Sequence, residues 1–135
     1  HEKPDMIRAV MEGVVYSLKD CLEIIKEMGV NVSEVRASGG GGKSPLWRQM
    51  QADVFGTEIT TINSSEGPAL GVAILAGVGA GIYSSVMEAC DKVISVKTKQ
   101  QADMVLNSKY NKYYDIYKHL YTSLKTDFAD VSSIL

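Results

Sequence analysis

The residues best placed to do chemistry are Ser38-Gly39-Gly40-Gly41-Gly42-Lys43-Ser44. That chemistry would be the holding of a nucleotide by main-chain N–H groups. A short β-prone run, Glu34 to Ser38, leads into the glycines, and Ser44-Pro45 then starts a helix. Glycine permits positive φ and carries no Cβ to keep a ligand off the backbone. A helix start adds unsatisfied N–H groups and a partial positive charge. Ser44 suits the N-cap and Pro45 the first helical position. Two specific motifs fail. A Walker loop ending at Gly42-Lys43-Ser44 needs a glycine where Ala37 stands, and the dinucleotide pattern begun at Gly39 puts Ser44 in its last glycine position. A plain tight loop, with glycines chosen only for the turn, is the open alternative.

The rest of the chain must position that stretch. Its 135 residues suffice for one domain with a core, and its formal charge of −2 gives no reason to expect nucleic acid or membrane as partners. Cys21 and Cys90 stand apart without a CxxC spacing, which fits reduced thiols and no metal site. The uncharged run Pro68 to Tyr83 falls short of the roughly 20 residues a membrane helix needs. With no signal sequence visible, a soluble, cytoplasmic protein is expected.

Met6, Ile7, Val10, Met11, Val14, Val15, Leu18, Leu22 and Ile25 recur at helical steps, predicting a heavily buried helix from Pro4 to Met28 with Gly29 as its stop. A strand follows over Glu34–Ser38, then a helix over Pro45–Phe55 stopped by Gly56, then a strand over Glu58–Ile62. This order implies two parallel strands joined by a right-handed crossover. A helix from Ala69 to about Ile82, built of small residues, is expected to lie very close to another backbone. Ser85-Val86-Met87-Glu88 reads as a capping box opening a short helix through about Lys92. Val93–Val96 reads as extended and Lys97–Ala102 as loop. A last helix, Asn107 to Phe128, carries Tyr110, Tyr113, Tyr114, Tyr117, Leu120, Tyr121, Leu124 and Phe128 along a docking face, with a fraying end beyond. Trp47 is expected in the core or as the wall of an adenine pocket, and His119 on the surface.

Three blocks, in this order, carry a family resemblance: Asp5-Met6-Ile7-Arg8-Ala9-Val10-Met11-Glu12-Gly13, then Gly39 through Asp53, then Glu66-Gly67-Pro68-Ala69-Leu70-Gly71-Val72-Ala73-Ile74-Leu75-Ala76. They resemble the second half of the C-terminal signature, the adenosine motif and the second connecting motif of the FGGY family of carbohydrate kinases. Trp47-Arg48-Gln49 and Ala52-Asp53 are most similar to the branch acting on xylulose; the gluconate, ribulose and glycerol branches are the near alternatives.

The resemblance implies an α/β fold: part of a ribonuclease H-like (actin-like ATPase) domain, with parallel strands, flanking helices and a C-terminal helix. Residues 1–135 would be a single, N-terminally truncated nucleotide-binding domain. Its cofactor would be ATP, with magnesium held mainly by carboxylates outside this chain, and its partner a small sugar, with a homo-oligomer possible. Gly40 and Gly41 would line adenine and ribose, Ser44 would hydrogen-bond the nucleotide, Lys43 would sit at the pocket edge, and Gly39 and Gly42 would shape the turn. Glu66 and Pro68 would set the loop before the connecting helix. No catalytic residue is expected within this chain, so the chain alone should be inactive and bind adenine nucleotide weakly. A non-enzymatic helical interaction domain is the rival from another class.

Overall fold

The glycine run is one turn of helix in the computed structural model, which describes residues 1–64 and 67–134. Strand β1 (Val35–Arg36) ends just before this turn, α2 (Gly39–Gly42), and α3 (Pro45–Phe55) leaves from it. The expected bare loop is thus corrected: Lys43 N–H donates to Gly40 O at 3.2 Å and Ser44 N–H to Gly41 O at 3.0 Å, closing the turn. The other elements are α1 (Lys3–Glu27), β2 (Ile59–Ile62), α4 (Gly67–Gly79), α5 (Val86–Val93), β3 (Val96–Gln100) and α6 (Met104–Ile134).

Helix α3 begins and ends where its residue types dictate. Ser44 caps it by accepting from Trp47 N–H at 3.3 Å, Pro45 opens it, and Gly56 closes it at φ +68°. Short strands on either side pair in parallel, with Val35 opposite Ile59 and Arg36 opposite Thr60. The described sheet has the order β1-β2-β3. Its third strand corrects the loop expected at Lys97–Ala102: residues 96–100 pair antiparallel with β2, Thr61 facing Thr98 and Thr60 facing Lys99. The sequence Val-Lys-Thr-Lys-Gln hides the strand because it sits at a sheet edge. There one face stays wet, and lysines discourage further pairing.

The core joins three helices: Val15 and Tyr16 of α1, Met50 and Val54 of α3, Tyr110 and Tyr114 of α6. Tyr16 stacks on Tyr114 with ring centroids 5.8 Å apart. The expected burial of α1 holds on one side only. Val15 and Leu22 are buried, but Met6, Ile7, Val10, Val14 and Leu18 are 41–70% exposed. The apolar stripe is wider than α3 and α6 together can cover.

Helix α4 also departs from expectation. An added Cβ at Gly67, Gly71 or Gly79 would meet nothing within 4 Å; only Gly77 is in tight contact, against the Tyr83 ring at 3.0 Å. Close backbone packing of this helix is therefore not seen among the described residues. Helix α5 follows its cap, Ser85 Oγ accepting from Glu88 N–H at 3.1 Å. The Glu88 carboxylate reaches one residue further back than a capping box requires, to Ser84 N–H at 2.7 Å. Helix α6 runs to Ile134 without fraying at Asp127 or Asp130, and His119 is exposed. The loop role expected of Glu66 lies outside the described residues.

Candidate functional site

Parallel strands leave their carboxyl ends open to ligands, and the glycine turn sits at such an end. A cleft of about 400 Å³ lies there, lined by Ser38, Gly39, Gly42 and Lys43 on one side and by Asn63 and Lys97 on the other. Of the five residues the sequence nominated, Gly39 and Lys43 line this cleft directly. Gly40, Gly41 and Ser44 belong to the same turn, immediately beside it.

The glycines divide by what surrounds them. Gly39 has φ +71°, so it sets the turn's entry; an added Cβ at Gly42 would come within 3.1 Å of the Ala37 carbonyl carbon. Gly40 faces open space, with nothing within 4 Å of the position a Cβ would take. Gly41 lies against Trp47, whose indole Nε1 would be 3.1 Å from such an atom. Trp47 meets the core expectation, packing against the core cluster, and its ring lies beside the turn.

A four-residue helix cannot satisfy its own first N–H groups, and the Ser38 side chain does not cap them. Gly39, Gly40 and Gly41 are all exposed, and Gly39 lines the cleft. The Ser44 hydroxyl accepts from Trp47 N–H and keeps its own proton to donate. Lys43 is exposed at the rim. The arrangement offers backbone donors, a neighbouring hydroxyl and cationic edges, which suits a polar, anion-bearing ligand.

Three residues that shape the site were given no such part by sequence reasoning. Arg48 is buried and donates from Nη1 to the Gly42 carbonyl at 2.7 Å. Asn63, at the carboxyl end of β2, ties the cleft floor together: its side chain donates to Val93 O at 2.9 Å and accepts from Ser95 N–H at 3.1 Å. Lys97 projects from the strand read as a loop. The signal for Asn63 was its position directly after a parallel strand; for Arg48 it was the four-residue step to Ala52, which puts a charge on the buried face.

Beneath the cleft, Glu34 fixes β1 to β2. Its carboxylate accepts from the Arg36 guanidinium at 3.0 Å and from Thr60 Oγ1 at 2.7 Å. Arg36 first, then Thr60, holds its pKa down at about 2. A larger hollow, about 710 Å³, lies between the start of α1 and α6, lined by Asp5, Arg8, Glu12 and Tyr110 among others. Its charged groups are engaged with one another: Arg8 donates to Glu12 at 2.9 Å and to the Tyr110 hydroxyl at 2.8 Å. It borders the first turn of α1 but holds no glycine turn and no strand end. Among the described residues no group of three or more His, Cys, Asp or Glu side chains gathers as a metal site, and no helix is long and apolar enough to cross a membrane.

The model of the C-terminal domain of the FGGY family of carbohydrate kinases matches residues 1–80. A xylulose kinase of Staphylococcus epidermidis is 35% identical over 134 residues, covering 99% of this chain and 27% of the relative. The crystal structure of ligand-bound xylulose kinase from Lactobacillus acidophilus superposes with a TM-score of 0.88 at 24% identity, over 97% of this chain and 26% of that one. Gluconate kinase from the same organism gives 0.86 at 25% identity, over 97% and 26%. The chain spans about a quarter of the length of the proteins it matches.

Proposed function

This chain belongs to the FGGY family of carbohydrate kinases, and from that premise we propose that it is the part of an ATP-dependent sugar kinase that holds adenosine. The single observation carrying this reading is the exposed glycine turn between a parallel strand and the start of α3, with open space at Gly40 immediately beside the cleft. Main-chain N–H groups of Gly40 and Gly41 would approach the base and ribose. The Ser44 hydroxyl would donate to the nucleotide, and Lys43 would lie at its edge. Gly39 and Gly42 keep the turn in shape rather than touch the ligand. The fold is read as part of a ribonuclease H-like, actin-like ATPase domain, its helices flanking a parallel pair.

When bound, ATP supplies the phosphoryl group to be passed to a hydroxyl of the acceptor. This chain's residues would bind and orient the nucleoside end and shield it from water. A base for the acceptor hydroxyl and carboxylates for magnesium would come from outside it. Phosphoryl transfer depends mostly on positioning and charge stabilisation, so half of a site gives little rate by itself. The chain alone is expected to bind adenine nucleotide weakly and to transfer nothing. Xylulose is the acceptor favoured by the names of the relatives; the gluconate kinase likeness supports a second acceptor in the same fold.

Gly40→Val tests the assignment because the space around an added Cβ there is open. In the intact kinase it should raise the KM for ATP by about tenfold or more while leaving the sugar's KM near its original value. A change of similar size in both constants would remove Gly40 from the nucleotide side. Xylulose phosphorylation by residues 1–135 alone would overturn the division of labour.

A further inference from the structure

We propose that Arg48 is a positioning residue for the nucleotide cleft, holding the glycine turn at its carbonyl end and thereby presenting the N–H groups at its other end. The proposal rests on the nucleotide reading above and adds a residue that acts through the turn rather than on the ligand.

The turn needs outside support. Four glycines make no side-chain contacts, and a single helical turn fixes several dihedrals for very little hydrogen bonding. Two of its supports are steric: the Trp47 ring beneath Gly41 and the Ala37 carbonyl beside Gly42. Neither is directional. Arg48 supplies the directional one, a 2.7 Å hydrogen bond from Nη1 to Gly42 O.

Its surroundings make that bond strong. Arg48 is only 8% exposed, so its guanidinium has given up most of its water, and a charged donor in such a place interacts more strongly than in solvent. On its other side Nε approaches Gln100 Oε1 at 3.5 Å, and Gln100 stands opposite Ile59 in the sheet. The turn is thus tied through α3 to β3. Across the turn from that carbonyl lie the N–H donors of its first residues, which a four-residue helix leaves without intrahelical acceptors. Those donors belong to Gly39, Gly40 and Gly41, beside the cleft. Arg48 also lines the cleft, but its Nη1 is given to Gly42 O, and it is through that bond that the residue fixes the turn.

The chain carries its own probe, since Trp47 is its single tryptophan and touches the turn. Residues 1–135 would be compared as wild type, Arg48→Met and Arg48→Lys, by amide hydrogen exchange and by Trp47 fluorescence during titration with MgADP. In Arg48→Met the amides of Lys43 and Ser44, whose acceptors are Gly40 O and Gly41 O, should exchange about tenfold faster, while Val15 and Tyr16 in the core stay protected. The MgADP dissociation constant should rise by about tenfold, and Arg48→Lys, which keeps the charge but not the planar fork, should fall between.

Unchanged exchange at Lys43 and Ser44 in Arg48→Met would sink the proposal. So would a loosened turn with an unchanged MgADP constant, because the residue would then be structural only. A wild-type chain whose fluorescence ignores MgADP at every concentration overturns the nucleotide reading itself and takes the positioning role with it. If Arg48→Met does not fold, Arg48→Lys decides alone: wild-type exchange and affinity in that variant would refute the need for the fork.

Discussion

Helices α3 and α4 both follow strands of the parallel pair, yet they are buried in the reverse order of their polarity. α3 contains Arg48, Gln49, Gln51 and Asp53, and six of its 11 residues are buried, three of those polar or charged. α4 contains only Gly, Pro, Ala, Leu, Val and Ile, and of its 13 residues just Ile74 and Gly77 are buried. The difference lies in partners, not in hydropathy. Three polar side chains of α3 have a geometric match: Arg48 on Gly42 O, Gln49 on Gln101 O at 2.9 Å, and Asp53 accepting from Asp103 N–H at 2.9 Å. Burying a polar group costs little once it is hydrogen-bonded, while an apolar surface gains nothing until something covers it. Among the described residues α4 meets chiefly α5.

The largest effect expected from this contrast is at the end of α3. Gly56 sits at φ +68°, and a Cβ there would lie 2.8 Å from Asn107 Nδ2. That amide cannot swing away freely because it already donates to Asp53 O at 2.8 Å. Gly56→Ala should therefore cost about 2–3 kcal/mol of unfolding free energy in urea titration. A loss below about 0.5 kcal/mol would mean that the α3–α6 junction yields easily, which would weaken the contrast with α4.

Next in size is Asp53. One carboxylate oxygen, Oδ1, accepts from Asp103 N–H at the start of α6 and from Gln49 Nε2 at 2.8 Å. Asp53→Ala leaves both donors without it in a part-buried setting, at a cost of about 2 kcal/mol. The two substitutions act on neighbouring contacts of the same α3–α6 seam, so their effects should not add. A double mutant as unstable as the sum of the singles would argue that Gly56 and Asp53 act on separate contacts.

How much of this could be seen beforehand differs from element to element. α3 was legible to the residue because Ser44, Pro45 and Gly56 are local signals that need no tertiary partner. The parallel pair was legible from its strand–helix–strand spacing. β3 was not, since a half-wet edge strand of alternating lysines looks like a loop until Thr60 and Thr61 are seen beside it. The two-sidedness of α1 was invisible for a related reason: periodicity says that Val10 and Val15 are both apolar, but only placement says that Val15 is covered and Val10 is 70% exposed. At the cleft, the glycines were legible by type. The part played by Arg48 was not, because its acceptor is the backbone carbonyl of Gly42, which carries no sequence signal.

A smaller effect follows from the strap beneath the cleft. The Glu34 carboxylate is held at a pKa of about 2 by Arg36 and Thr60, below its ordinary 4.5. A carboxylate depressed in the folded state adds stability above its unfolded pKa and loses it as pH falls through the folded value. The contribution is therefore present at neutral pH and disappears between about 4.5 and 2. Because the group is largely solvated, the change should stay under about 1 kcal/mol. Glu34→Gln should flatten that part of the acid-stability curve; an identical acid limb in wild type and variant would show that the pair does not hold β1 to β2.

The smallest effect is the most telling for the comparison. Val72 and Leu75 of α4 are 67% and 63% exposed. Val72→Lys and Leu75→Lys each bring a charge to a place already wet, and the unfolding free energy of residues 1–135 should move by less than about 0.5 kcal/mol. Lysine is also a better helix former than valine, so Val72→Lys should be neutral or slightly stabilising. A loss of about 2 kcal/mol or more at either position would show that this apolar face is covered in solution, and sedimentation of the same samples would tell whether a second copy does the covering. α4 would then obey the same rule as α3, being buried where a partner exists, and the contrast would belong to the isolated chain rather than to the helix.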